Sequence, residues 1–139
     1  MDHVATLEGM YGRINAHDVD GFCEYLADDF VEHETAPGLE PTKEGVRQFF
    51  QMYMAAFPDL GFKVEDMLSS GDKVVARFRA IGTQTGEFMG MPPTGRSVDV
   101  GGIDIIRFGD DGLAHEHWGL FDAMAMMQQL GAIPEGSPA

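Results

Sequence analysis

The chain has one cysteine, Cys23, so no internal disulfide can form. Basic residues are scarce: nine Lys and Arg stand against 23 Asp and Glu, a net charge of −14. A phosphate backbone or an anionic bilayer is repelled by such a surface, which excludes nucleic-acid and membrane binding as the main task. No apolar run approaches the ~18 residues of a membrane span, and no basic stretch followed by an apolar one marks a secretion signal. These absences read as a soluble cytoplasmic protein. Charge of both signs reaches only 23% while hydrophobic residues make up 44%, the balance of a chain that folds rather than of an acidic disordered tail. No repeat or low-complexity linker divides the 139 residues, so one domain is expected over 1–133, with 134–139 as a loose tail.

The order of periodicities gives the fold class. Val4, Leu7, Tyr11 and Ile14 recur at helical spacing, and Val19, Phe22, Cys23 and Leu26 do so again after a break at Asn15 to Asp18. A short β-like run, Phe30 to Glu34, precedes a third helix that Thr42 can cap and Pro58 must end; its stripe is Val46, Phe49, Phe50, Tyr53, Met54 and Phe57. From Leu60 the period falls to two. Phe62 to Ser69 and Lys73 to Thr85 read as strands around a turn at Ser70 and Gly71. Ser97 to Phe108 and Leu113 to Phe121 form a second hairpin around residues 109–112. A last helix, Asp122 to Leu130, stops at Gly131. Helices first and antiparallel strands later predict an α+β fold, a curved antiparallel sheet wrapped around the N-terminal helices and able to enclose a pocket.

The second hairpin carries the chemistry. Strand alternation puts Val98, Val100, Gly102, Asp104, Ile106 and Phe108 on one face and Leu113, His115, His117, Gly119 and Phe121 on the matching face of the partner. A symmetric turn pairs Phe108 with Leu113, Ile106 with His115, and Asp104 with His117; a bulge or a three-residue loop would shift this by one. A carboxylate beside an imidazole on an apolar wall suits general acid/base work, because burial and the neighbouring charge can bring either group near neutrality. The same contact also serves as a structural hydrogen bond, and location in a pocket decides between the two.

Other residues are weighed against ordinary packing. His115 and His117 have an His-x-His spacing that could hold zinc with His33 or Asp104 as third ligand, but a half-exposed strand carries such histidines without metal, and no metal or cofactor is expected. His33 is a candidate pocket-lining donor, and strand alternation sends it opposite to Glu32 and Glu34. Tyr53 lies in a core stripe, yet its hydroxyl needs a partner that a cavity would supply. Arg77 and Arg79 share a face with Val75 and Ile81, placed to bind an anion or to pair with surface acids. Ten methionines, among them Met89 and Met91 within the turn-rich stretch Gly86 to Gly95, suit an adaptable apolar pocket as well as a core.

The helices at the start, the run Gly90-Met91-Pro92-Pro93-Thr94-Gly95, the strand Gly102-Ile103-Asp104-Ile105-Ile106-Arg107 and the ending Glu116-His117-Trp118 through Gln129-Leu130-Gly131 resemble the SnoaL-like polyketide cyclases of the nuclear transport factor 2-like superfamily. The resemblance spans nearly the whole chain and implies a cone of sheet closed by helices around an apolar pocket. In that family an aspartate two residues after the position matching His117 drives an aldol ring closure; this sequence has Gly119 there. The resemblance therefore implies a small apolar carbonyl or ester ligand, with Asp104 and His117 as the catalytic pair and His33, Tyr53, Met89, Gly119 and Phe121 around the substrate. Its alternatives are a binding protein that has lost catalysis, or a hydrolase like limonene epoxide hydrolase in which Arg77 or Arg79 joins Asp104. Two further expectations follow. Ile103, Ile105, Trp118 and Leu120 form an apolar patch opposite Asp104 that a homodimer would bury, and Gly86 to Gly95 acts as a mobile flap at the pocket mouth.

Overall fold

A computed structural model of the chain describes residues 2–134; the loose tail expected over 134–139 lies, apart from Pro134, outside the described residues. The elements are α1 (His3–Asn15), α2 (Val19–Cys23), β1 (Leu26–Glu32), α3 (Lys43–Ala56), β2 (Gly61–Ser70), β3 (Lys73–Thr83), β4 (Ser97–Phe108), β5 (Ala114–Phe121) and α4 (Ala123–Gln129). Each helix begins at a side-chain cap. Asp2 accepts from the amide of Ala5, Asp18 from Gly21, Thr42 from Gly45 and Asp122 from Ala125, each satisfying a donor the helix leaves unpaired.

The strands form one curved, unclosed sheet in the order β1-β5-β4-β3-β2. All neighbours are antiparallel except β1 and β5, which run parallel. This is the expected α+β architecture, with two corrections near the start. The second helix ends at Cys23, and Leu26, expected on its apolar stripe, instead opens β1 opposite Ala114. β1 thus begins four residues before the expected Phe30 and ends at Glu32. The Tyr25 carbonyl accepts from the Ala114 amide at 2.8 Å, so pairing with a strand far along the chain overrides the local helical period.

The helices cover one face of the sheet. On β3, Val74, Ala76, Phe78 and Ala80 are buried while Arg77 and Ile81 are exposed, and the same alternation runs through β4. Two groups of core side chains result. One gathers Leu7, Met10, Tyr11, Leu26, Phe30 and Ile106 under α1; the other gathers Tyr53, Phe57, Phe78, Phe88, Val98 and Met126 between α3, α4 and the strands.

The β4–β5 hairpin departs from the symmetric register. Gly109 donates to the Leu113 carbonyl across a loop of Asp110, Asp111 and Gly112, the last at φ +78°, where a side chain would be strained. One residue later β5 is irregular: Phe108 pairs with Ala114, but Arg107 pairs with Glu116. The three-residue loop and the bulge each shift the pairing by one, so Asp104 lies opposite Gly119 rather than His117, and Ile106 lies opposite His117 rather than His115. Two single shifts restore the parity for His117, Gly119 and Phe121, while between them Ala114 takes the core face opposite Phe108 in place of Leu113.

Candidate active site

A cavity of about 490 Å³ lies between the sheet and the helices. Eight phenylalanines and five of the ten methionines line it, which gives the methionine content a place beyond ordinary packing. Among the described residues no Lys or Arg lines it; the ionisable lining residues among them are Glu32, Glu34, Glu40, Asp104, His117, Tyr11 and Tyr53.

Four of these form one hydrogen-bonded chain drawn from four elements. The Tyr11 hydroxyl, on α1, donates to Asp104 Oδ2 on β4. His117 Nε2, on β5, donates to Asp104 Oδ1 at 2.7 Å, and His117 Nδ1 donates to Glu32 on β1 at 2.6 Å. The Asp104 and His117 side chains are each 20% exposed and that of Glu32 14%, so the chain sits at the cavity wall where water is largely excluded. Although the partner of Asp104 across the strands is Gly119, His117 two residues away on the same face is a diagonal neighbour, within reach of two long side chains. Parallel pairing sets Glu32 opposite His117.

Burial alone would lower the His117 pKa, but the hydrogen bonds to Asp104 and Glu32 and the charges of both carboxylates outweigh it and push it up to about 10. His117 is therefore an imidazolium at neutral pH, a donor at both nitrogens, and not a free base. The Tyr11 hydroxyl is raised by burial, by the charge of Asp104 and by its bond to that carboxylate, so it too stays a donor. Tyr53 is pushed up to about 12 by burial; its hydroxyl makes no hydrogen bond to protein among the described residues. A carboxylate held by two donors and a spare hydroxyl in an apolar cavity are groups that proton transfer next to a carbonyl can use.

Of the residues singled out in the sequence, Asp104, His117, Tyr53, Met89, Gly119 and Phe121 line the cavity. His33 does not. Its ring stacks on Trp118 at 4.6 Å and its Nε2 lies 3.1 Å from Glu116 on the outer face, as alternation against Glu32 demands. The zinc arrangement has no geometry either: the bulge carries His115 to Asp111 and Asp29, away from His117. Arg77 and Arg79 point to the outer face, Arg79 bonded to Asp99 at 2.8 Å, so neither can join Asp104 as the epoxide-hydrolase alternative required. Gly86 to Gly95, expected to act as a flap, is tied down at several points. Buried Gln84 donates to the Gly86 and Pro92 carbonyls and accepts from Thr94, and Phe88, wholly buried, pairs with Met91; Met89 at the tip of that turn reaches the cavity.

Two members of the site escaped sequence reasoning, Tyr11 and Glu32. Helical spacing makes Tyr11 one more apolar residue of a stripe, although a buried hydroxyl calls for a partner. Glu32 shares the parity of Phe30, which is core, and that signal could have turned it inward.

The family model of the SnoaL-like polyketide cyclases matches residues 5–130. No curated protein matches significantly. Among solved structures, IdmH from Streptomyces antibioticus, described as a proposed polyketide cyclase, is 35% identical with a TM-score of 0.82, over 94% of this chain and 99% of its own. TsrD from Streptomyces laurentii is 31% identical with a TM-score of 0.85, over 96% of this chain and 99% of its own. AclR from Streptomyces galilaeus, described as a proposed hydroxylase, is 28% identical with a TM-score of 0.86, over 96% of this chain and 83% of its own.

Proposed function

Because the chain belongs to the SnoaL-like polyketide cyclase family, we propose that it binds a small, mostly apolar carbonyl or ester compound and moves a proton on it without a cofactor, with Asp104 as the acid/base group. The observation that supports this most is the Tyr11–Asp104–His117–Glu32 chain set in the wall of an aromatic cavity. Asp104 takes a proton from the carbon next to a carbonyl; the C–H electron pair passes into the enolate, whose oxygen accepts from the free Tyr53 hydroxyl. The enolate carbon then attacks a second carbonyl, whose oxygen takes the proton back from Asp104; or, where a double bond is conjugated with the enolate, the electron pair shifts to its far carbon and Asp104 returns the proton there. A carboxylate is a weak base toward an ordinary C–H bond, so the bond opened must itself be acidic, as between two carbonyls. With no Lys or Arg among the described lining residues, and Glu32, Glu34 and Glu40 sharing the lining with Asp104, an uncharged compound fits, any acid group being esterified.

Gly119 favours one other reading, a binding protein that kept the cavity and lost the chemistry. Deuterium exchange separates the two. The compound that copurifies with the protein from its source is identified by mass spectrometry and returned to the protein in D2O. Deuterium gained at one carbon with the wild type, and lost with Asp104→Asn, is expected; tight binding without exchange would leave only the binding protein.

We place a second copy of the chain against the outer face of the sheet, where Ile103 is 49% and Leu120 72% exposed, and we read the protein as cytoplasmic. Among the described residues no helix is long and apolar enough to cross a membrane.

A further inference from the structure

We infer that Gly119 is a positioning residue: its missing side chain is what lets Asp104 and His117 meet across β4 and β5. A Cβ at 119 would lie 2.6 Å from His117 Nε2, 2.7 Å from Asp104 Oδ1 and 2.8 Å from His117 Cε1, all closer than non-bonded carbon contacts allow. The methyl group would occupy the space that the hydrogen bond crosses. Nothing else at this position calls for glycine. Its φ is not in the left-handed region, it lies inside β5 rather than in a turn, and glycine within a strand weakens it. The close atoms are all functional ends of two side chains, not backbone.

The four-residue chain would therefore part at its centre. Tyr11 would keep Asp104 through Oδ2, and Glu32 would keep His117 through Nδ1, leaving two half-sites in which the carboxylate no longer faces a cation. This deepens the reading of Asp104 as the acid/base group and rests on it, but it is tested on the resting protein. A wild type without turnover would remove that reading and leave this one standing.

The test follows the His117 ring nitrogens by NMR across pH in wild type, Gly119→Ala, Asp104→Asn and the double variant. The groups facing His117 are Glu32 from β1 and Asp104 from β4, with Tyr11 of α1 acting through Asp104. Gly119→Ala should weaken the proton affinity of His117 by about tenfold or more, a shift of about one pKa unit. Asp104→Asn should do the same, and the double variant should add little, because both remove one contact. Unchanged titration in Gly119→Ala, or additive shifts, would overturn the proposal. If Gly119→Ala does not fold, Asp104→Ala/His117→Ala/Gly119→Ala decides: recovered folding supports the clash with those two side chains, and failure of this triple variant while Asp104→Ala/His117→Ala folds would overturn it.

Discussion

Asp104 Oδ1 accepts from His117 Nε2 at 2.7 Å although the two residues are not partners in the β4–β5 ladder; Asp104 is opposite Gly119, and His117 opposite Ile106. The bond is diagonal, made on one face by a residue and the neighbour two places from its partner. Glu32 closes the far side of the imidazole, so a single cation lies between two carboxylates. The charge pattern makes His117 a fixed part of the site, and under the proposed function Asp104 is the group that exchanges a proton with the ligand.

The first prediction concerns pH. The folded pKa of His117, about 10, stands above the ordinary 6.5, so the folded protein holds a proton that the unfolded chain gives up between those values. The stabilisation this supplies is complete below pH 6.5, declines as pH rises, and is gone above about 10. Urea unfolding from pH 6 to 10 should show that fall, and it should be much reduced in Asp104→Asn. An NMR titration showing His117 deprotonating near pH 6.5 would contradict the assignment.

The second prediction is non-additivity. Asp104→Asn and His117→Gln should each lower turnover by roughly 10²- to 10⁴-fold, and the double variant should fall little further, since the two act in one step. His117→Gln should also cost about 1.5–3 kcal/mol of stability, because it removes charge-assisted bonds from Asp104 and Glu32 together. Near wild-type rates in folded variants would make the pair structural.

How far the site could be read from the sequence depends on the parity of slips. The symmetric hairpin gave Asp104 the wrong partner, yet the loop of Asp110, Asp111 and Gly112 and the bulge at His115 shifted the register twice, which kept both residues facing the cavity. One slip alone would have turned His117 outward. The helices were legible because Asp2, Asp18, Thr42 and Asp122 are local signals within three residues of the amides they cap. Glu32 was not, because its role depends on β1 lying parallel to a strand more than eighty residues away, and no local pattern encodes that pairing. The loop expected to be a flap illustrates the same limit: Gly, Met and Pro suggest mobility, while the anchor, Gln84, lies outside the segment.

That anchor supplies the third prediction. Gln84→Ala takes a buried partner from the Thr94 hydroxyl and the Pro92 carbonyl, which themselves lie at exposed residues that water can reach, and should cost about 0.5–1.5 kcal/mol. Hydrogen exchange of the Gly95 amide, which donates to the Gln84 carbonyl at 2.9 Å, should be slow in the wild type and accelerate in the variant. Rapid exchange in both would restore the flap.

The fourth prediction concerns assembly. Ile103 and Leu120 are partners across β4 and β5 on the outer face, so a charge at either falls at the centre of the patch. Light scattering at micromolar concentration should give a dimer for the wild type and a monomer for Ile103→Asp, with the unfolding transition retained. A monomeric wild type would remove the second copy from that face.

The last prediction separates the two tyrosines of the cavity, which differ in what their hydroxyls already do. Tyr11 donates to Asp104, so Tyr11→Phe removes a bond to a charged acceptor and should cost about 1.5–3 kcal/mol of stability as well as turnover. The Tyr53 hydroxyl has no protein partner among the described residues, so Tyr53→Phe should leave the unfolding free energy nearly unchanged. If that hydroxyl meets the oxygen on which charge develops, the same substitution should lower turnover by about 10²- to 10³-fold, with KM much less affected because the bond strengthens only as the charge appears. Since Tyr53 is pushed up to about 12, it remains a donor throughout the neutral range, and its contribution should not vary between pH 6 and 9. A Tyr53→Phe protein with wild-type turnover would take this hydroxyl out of the mechanism and require another donor for the enolate, for which His117, already bonded at both nitrogens, has no free N–H to offer.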